Sequence, residues 1–165
     1  CRPTTLSNSK FCVFRVPICS ITPVGRPSFS RQSSISYLIS KEFNKAEKYL
    51  NNAITIDPNN PHALNNLASV LIRLGRNEDS IKYSEEAIKI NKNFSSAYNN
   101  LGLAKKNINQ NDDAKRSFLN AIETEKTNVL PYYNLAMLYE SLNDIKNSEI
   151  YYLKAIEVSS KFFSA

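Results

Sequence analysis

The sequence predicts an all-α solenoid in which antiparallel helix pairs stack side by side. Several independent positions recur along the chain at one constant spacing. They are four Ala-Ile pairs and, in phase with them, three Asn-Leu pairs followed by a small residue: Ala53-Ile54, Ala87-Ile88, Ala121-Ile122 and Ala155-Ile156, then Asn66-Leu67-Ala68, Asn100-Leu101-Gly102 and Asn134-Leu135-Ala136. Such agreement at one period indicates structural repeats, which stack because a single helix pair cannot bury its apolar face alone.

Each repeat unit consists of two predicted amphipathic helices separated by a helix-breaking residue. The breakers Gly75, Asn109 and Asn143 recur at the same spacing. Asn is the best substitute for Gly in the left-handed conformation that ends many helices. Apolar residues after Asn109, such as Ala114 and Phe118, fall on one helix face. The predicted helices span residues 31–40, 43–56, 61–74, 77–90, 95–108, 111–124, 129–142 and 145–158.

Small residues at the repeating positions predict close helix packing. Ala68, Gly102 and Ala136 let the two helices of a pair approach, since larger side chains would force them apart. The alanines of the four Ala-Ile pairs, Ala53 included, are expected to do the same against the following unit. Large apolar residues such as Phe118 fill the remaining space.

Composition and charge exclude several classes of function. The 165-residue chain has three glycines, too few for a glycine-rich phosphate loop. Its formal net charge of +6 lies entirely in residues 1–41, which contain no acidic residue, so the rest of the chain is neutral. A neutral body lacks the basic surface that binds nucleic acid. The chain has one histidine, His62, and no C-x-x-C pair. It therefore predicts no metal site, no cofactor and no catalytic triad.

Residues 1–34 form a basic leader that is rich in serine and proline. Four prolines between residues 3 and 27 oppose a long helix, and we expect this segment to be disordered. Its acid-free, Ser- and Arg-bearing composition is typical of organelle transit peptides, which would direct the chain to a mitochondrion or plastid. The alternatives are a disordered tail of a cytoplasmic protein, or sequence from outside the native reading frame. The apolar run at 11–14 is too short to cross a bilayer.

The repeating pattern resembles the tetratricopeptide repeat. Its core reads Asn-Leu-Gly/Ala followed by Ala-Ile, and Asp57-Pro58-Asn59-Asn60 matches the turn that closes a repeat in this family. Lys92, Lys126 and Ser160 depart from the family by replacing the closing proline. The resemblance implies a right-handed superhelix of stacked antiparallel helix pairs. Its units would be a degenerate or partial first repeat at 35–60 and repeats at 61–94, 95–128 and 129–162, with truncation at the chain end left open.

The resemblance also implies a concave groove that binds extended peptides and is lined by the first helix of each pair. In this sequence the groove positions are held by Asn65, Asn66, Ser69, Arg73, Asn99, Asn100, Leu103, Lys106, Tyr133, Asn134 and Met137. Asn side chains both donate and accept hydrogen bonds, so a row of them could pair with a peptide backbone of any sequence. Alternatively, Asn66, Asn100 and Asn134 serve the fold or reflect an Asn-rich composition.

The function that these features favour is a non-catalytic interaction module for a protein or peptide partner. The family's carboxylate-clamp subtype is disfavoured, because Ser96 and Asn100, or Leu130 and Asn134, stand where that subtype has basic residues.

The repeats also resemble the superhelical region of O-linked N-acetylglucosamine transferases. The alternative function is therefore substrate recognition within a larger enzyme whose catalytic domain lies outside this chain. No polar cap follows Ile156, and the uncapped apolar face at that end predicts further repeats, self-association or poor solubility.

Overall fold

A computed structural model describes residues 28–163, with the side chains of residues 40–160. Most of the predicted leader, residues 1–27, lies outside this range. The described residues form seven α-helices: α1 (Ser28–Ile56), α2 (Pro61–Arg73), α3 (Asn77–Ile90), α4 (Ser95–Asn107), α5 (Asn111–Thr124), α6 (Val129–Ser141) and α7 (Ile145–Phe163). Helices α2 and α3, α4 and α5, and α6 and α7 pack as sequential pairs, and α3 and α5 also contact the first helix of the next pair. The predicted all-α architecture of stacked helix pairs is confirmed.

The connection inside each pair is set by a residue in the left-handed conformation. Gly75 has φ +77°, and Asn109 and Asn143 have φ values of 61° and 60°. In each case the next backbone N–H reaches back to the carbonyl oxygen five residues earlier, as from Arg76 to Leu71 at 2.9 Å. This hydrogen bond satisfies a carbonyl at the helix end that would otherwise lack a partner. The prediction that Asn109 and Asn143 act as Gly75 does is confirmed.

Helix α1 differs from the predicted pair of helices at 31–40 and 43–56. It is one continuous helix that includes residues 41 and 42, and it begins at Ser28, inside the segment assigned to the leader. Lys41 occupies the repeat position that Gly75 holds in the next unit, and Lys is a good helix former that avoids the left-handed conformation. The helix therefore continues where the other units turn. Ala53, expected to pack against the next unit, is exposed, whereas Ile54 packs against the core instead.

The packing of α4 against α5 depends on Gly102. A Cβ atom at this position would lie 2.5 Å from Cε1 of Phe118, which is fully buried in the core. The equivalent positions one repeat earlier hold Ala68 and Ser84, both fully buried. A small residue on the first helix thus accompanies each pair, and in the α4–α5 pair glycine leaves room for the fully buried Phe118 ring. This confirms the predicted close approach of the two helices.

Ser84 provides a test of this packing, because its Oγ has no hydrogen-bond partner among the described residues although it is fully buried. An unpaired buried hydroxyl destabilises the folded state. We expect Ser84→Ala to raise the free energy of unfolding by about 1 kcal/mol, as measured by urea denaturation. Ser80→Ala is the matched control, since the Ser80 hydroxyl donates to the Ala68 carbonyl at 2.9 Å. That variant should lose about 1 kcal/mol. A Ser84→Ala protein less stable than the original would contradict the prediction.

An ion-pair bridge joins α1 to the repeats. The Arg76 guanidinium lies 2.6 Å from Glu47 of α1 and 2.7 Å from Asp79 of α3. Hydrogen bonds to Asp79 and Glu47 raise the pKa of Arg76 above its usual value. Arg76 therefore links α1 to the start of α3 through two ion pairs.

Among the described helices, none has an apolar stretch long enough to cross a bilayer.

Candidate functional site

The first helices of the three pairs lie next to one another and form one continuous surface. Helix α2 contacts α4, and α4 contacts α6. The start of this surface is positioned by Asn60, whose side chain accepts hydrogen bonds from the backbone N–H groups of His62 and Ala63, both at 3.1 Å. This caps α2 at its N-terminus. At the start of α6, Asn128 accepts from the N–H of Leu130 at 3.2 Å and also donates to Ser95 Oγ at 3.1 Å.

Side-chain amides link these helices in pairs. Asn100 Nδ2 donates to Asn65 Oδ1 at 2.9 Å and lies 3.3 Å from the Asn65 backbone oxygen, which joins α4 to α2. Asn134 Nδ2 donates to Asn99 Oδ1 at 2.8 Å, which joins α6 to α4. Both bonds span the same separation along the chain, so the same contact is made at successive repeats. We call these two hydrogen bonds the asparagine ladder.

The predicted groove residues fall into three classes of exposure. Asn65, Asn99 and Asn100 are buried, so the fold uses them directly. Three are half-buried: Leu103, Lys106 and Asn134. Five are exposed and accessible to a ligand: Asn66, Ser69, Arg73, Tyr133 and Met137. For Asn100 and Asn134 the structure supports a role in the fold, whereas Asn66 has no side-chain hydrogen bond to any described residue.

The character of the surface changes along the chain. The α2 end exposes amide, hydroxyl and basic groups, ending at Arg73. The α6 end exposes Leu130, Tyr133 and Met137, the first two at 60% and 47% of their surface. A ligand lying along all three helices would therefore meet polar groups at one end and apolar groups at the other.

The apolar end continues into a cavity of about 500 Å³ between α6 and α7. Val129 and Tyr133 of α6 line it together with Tyr152 and Ile156 of α7. The rings of Tyr133 and Tyr152 meet edge to face, with centroids 5.7 Å apart. The Tyr152 hydroxyl donates to Glu140 Oε2 at 2.8 Å, and this hydrogen bond raises the pKa of Tyr152 to about 12. This hydrogen bond helps to hold the Tyr152 ring in place beside the cavity.

The sequence predicted an uncapped end after Ile156 but not this cavity, although the repeat period contained a signal for it. Tyr152 occupies the repeat position that the buried Phe118 holds one unit earlier, and Tyr133 occupies that of Asn99. In the earlier units these positions contact the next repeat. Where no described helix covers them, aromatic residues there leave an apolar face exposed.

Comparison with known families agrees with this repeat geometry. Tetratricopeptide repeat profiles match residues 37–105 and residues 95–128 and 131–162. The chain belongs to the tetratricopeptide repeat proteins. The matched residues include most of the degenerate first repeat predicted at 35–60, so the match extends over α2 to α7 and part of α1. The predicted family is confirmed.

Solved structures of other tetratricopeptide repeat proteins share the fold. The crystal structure of MamA superposes with a TM-score of 0.64 at 23% identity, covering 77% of this chain and 74% of that one. YrrB, described as having an unusual peptide-binding site, gives 0.62 at 20% identity, covering 74% and 63%. The first such domain of Spaghetti (RPAP3), bound to the HSP90 peptide SRMEEVD, gives 0.59 at 21% identity, covering 68% and 89%. No curated protein sequence matches significantly.

Proposed function

We propose that this tetratricopeptide repeat array is a non-catalytic interaction module that holds an extended segment of a partner protein along α2, α4 and α6. The observation that carries the proposal is the asparagine ladder beneath an exposed row of polar and apolar side chains. Hydrogen-bonded amide pairs, one fully buried and one partly buried, hold the three helices in register before a ligand arrives. A preorganised surface loses little conformational entropy on binding, which favours affinity.

The groove chemistry supports a peptide ligand. Each Asn side chain has two donor hydrogens and one acceptor oxygen, so a ladder bond leaves further hydrogen-bonding capacity on each residue. Asn66 is exposed beside the ladder and is suited to pair with a peptide backbone. Arg73 and Lys106 favour acidic or polar side chains, whereas Tyr133 and Met137 favour an apolar one. The preferred partner segment is thus polar or acidic at one end and apolar at the other.

Structural neighbours support the same conclusion, since YrrB is described by its peptide-binding site and the RPAP3 domain holds a peptide. Depending on how the repeats are aligned, Ser96 and Asn100 on α4, or Leu130 and Asn134 on α6, stand where a carboxylate clamp has basic residues. We therefore expect a different peptide preference from that of the RPAP3 domain.

Selection from a random peptide library displayed on phage, with the full chain as bait, tests the proposal. Selected peptides should lose about tenfold or more in affinity for an Asn66→Ala, Met137→Glu variant, as measured by fluorescence anisotropy. The control carries Lys89→Ala and Glu123→Ala on the second helices α3 and α5, where both residues are exposed. It should bind normally. SRMEEVD should bind about tenfold more weakly than the selected peptides. Equal affinity for the groove variant and the original chain would contradict the proposal.

A second candidate is the substrate-recognition region of a larger enzyme such as an O-linked N-acetylglucosamine transferase. The observation in its favour is the row of asparagines along the first helices of successive repeats. Sequencing the full-length transcript tests it. A glycosyltransferase domain encoded after Ala165 would support this candidate, and a stop codon directly after Ala165 would remove it.

A further inference from the structure

A cleft lies between α5 and α7, the second helices of two successive pairs. It holds a cavity of about 460 Å³, and we call it the α5–α7 cleft. None of the predicted groove residues lines it, so it is a surface separate from the groove. The lining comes from α5, from the turn before α6, and from α6 and α7, and it includes Leu119, Ile122, Lys126, Tyr132, Lys154 and Val158.

The same position in the two preceding repeats also carries a cavity. These cavities measure about 550 Å³ and about 300 Å³, and Tyr98 and Leu64 line them at the position of Tyr132. Each persists although a complete helix pair follows it in the chain, α6 with α7 in the first case and α4 with α5 in the second. A following repeat of this chain therefore does not fill this position, which is left open to another molecule.

The charge of this position changes from repeat to repeat. Lys126 and Lys154 line the α5–α7 cleft together with one acid, Glu157. One repeat earlier the charged residue in the lining is Glu123, and two repeats earlier the lining has one acid and one lysine. Of the three positions, the α5–α7 cleft alone has more basic than acidic residues in its lining. Charge complementarity therefore favours an acidic ligand at this position.

Both lysines of the cleft are exposed, and the ion pairs among the described residues involve neither of them. The Lys154 ammonium lies 4.7 Å from the ring centroid of Tyr151, which is itself part of the lining. The Tyr132 hydroxyl donates to the Lys126 carbonyl oxygen at 3.2 Å and so fixes the turn that carries Lys126. Two ammonium groups are thus held at the cleft and are accessible to a carboxylate, with which they form charge-assisted hydrogen bonds.

The rest of the lining is largely apolar and aromatic. Ile122 and Val158 are half-buried, and Leu119 exposes 37% of its surface. Tyr132 and Tyr151 add two aromatic rings. Ligand cavities typically combine apolar walls with a few polar groups, and aromatic rings pack favourably against one another. The cavity is therefore suited to an aromatic side chain.

We infer that the α5–α7 cleft binds an acidic segment of a partner protein that inserts one aromatic side chain. The two ammonium groups attract the carboxylates of the segment, and the apolar walls contact its ring. The inference does not depend on the proposed groove, because the two surfaces share no lining residue. One chain can then hold two partner segments at once, one along the first helices and one between two second helices.

A fluorescein-labelled peptide of sequence SDEFEDS is the probe. It is titrated against the full chain by anisotropy in about 0.15 M salt, where charges more than about 8 Å apart are largely screened. We expect saturable binding that Lys126→Glu, Lys154→Glu weakens about tenfold or more with an unchanged circular dichroism spectrum. Glu157→Gln should strengthen binding about threefold, since it removes the acid from the lining.

The matched control is Lys82→Glu, Lys92→Glu, which makes the same change in net charge. Both residues are exposed and lie outside the cleft lining, and Lys92 is the equivalent of Lys126 one repeat earlier. This variant should bind the probe within about twofold of the original chain. The neutral peptide SNQFQNS should bind about tenfold more weakly than the probe.

Four results would overturn the inference. The first is no saturable binding up to about 1 mM peptide. The second is equal affinity for SNQFQNS, which would show that charge does not matter. The third is equal weakening by the control variant, which would indicate unspecific attraction. The fourth is displacement of the probe by peptides selected for the groove. The groove variant Asn66→Ala, Met137→Glu should bind the probe normally, so failure of one site is distinguishable from failure of the other.

Discussion

Replacing Phe118 with Ala is expected to lower the free energy of unfolding by about 3–5 kcal/mol. Phe118 is fully buried and packs with Leu135 and Leu138 of the following pair as well as with Gly102 of its own. Its removal leaves a cavity where two repeats meet, and a rigid helix pair refills such a space only in part. Urea denaturation followed by circular dichroism measures the loss.

The effect of Gly102→Ala should reverse sign with the residue at position 118. In the original chain the added Cβ would lie 2.5 Å from Phe118, and such overpacking costs about 1–3 kcal/mol. The higher helix propensity of Ala offsets up to about 1 kcal/mol of that. In the Phe118→Ala background the clash is absent, so Gly102→Ala should stabilise the protein by about 1 kcal/mol. The double variant approaches the Ala68 and Ser84 arrangement of the preceding repeat.

A double-mutant cycle of these variants separates the contact from general effects of glycine replacement. Gly75→Ala is the matched control, because Gly75 has φ +77° and no atom within 4 Å of an added Cβ. Its cost of about 1 kcal/mol comes from the backbone and should be the same in both backgrounds. Additive effects of Gly102→Ala and Phe118→Ala would contradict the proposed contact.

Most of the fold was predictable because its determinants are periodic. Each unit from residue 61 onward repeats the same breaker and the same small residues, and these features specify helix ends and contact faces locally. The first unit shows the limit of this reasoning. Ala53-Ile54 follows the period, yet Lys41 stands at the breaker position and the helix continues through it. A turn therefore requires the breaker residue itself, and the other matching repeat positions do not form one without it.

The sequence predicted which helix faces form the candidate groove, but not which of their side chains are exposed to solvent. The period identified the helix faces that hold Asn65 and Asn66, and the family resemblance assigned them to the groove. Whether an amide meets a neighbouring helix or solvent depends on the distance between repeats, which the sequence does not encode locally. Consequently Asn65 is buried in the ladder while Asn66, the next residue, is exposed. The apolar end of the array was predicted from the missing polar cap after Ile156. The cavity between α6 and α7 was not predicted, because its shape depends on how the two helices pack.

The three asparagines at positions 66, 100 and 134 should separate into structural and ligand-binding roles. Asn100→Ala removes the donor to the buried Asn65 Oδ1 and should lower the free energy of unfolding by about 1–3 kcal/mol. Asn134→Ala should cost less, about 1 kcal/mol, because Asn134 is only half-buried. Asn66→Ala should change stability by less than about 0.5 kcal/mol, since the side chain is exposed. Urea denaturation measures all three.

Measuring the peptide affinity of the same variants separates the structural role from the ligand-binding role. Because the ladder sets the register of α2, α4 and α6, Asn100→Ala should lower both the free energy of unfolding and the affinity for the library-selected peptides. Asn66→Ala should lower the affinity alone.

The double variant Asn65→Ala, Asn100→Ala is the control for the ladder itself. Its loss of stability should be smaller than the sum of the single losses by about 0.5 kcal/mol or more, since each single change leaves the other amide without its partner. If Asn66→Ala destabilised the chain as much as Asn100→Ala, then Asn66 would belong to the fold. The groove would then bind through Arg73, Tyr133 and Met137 without an asparagine contact to the peptide backbone.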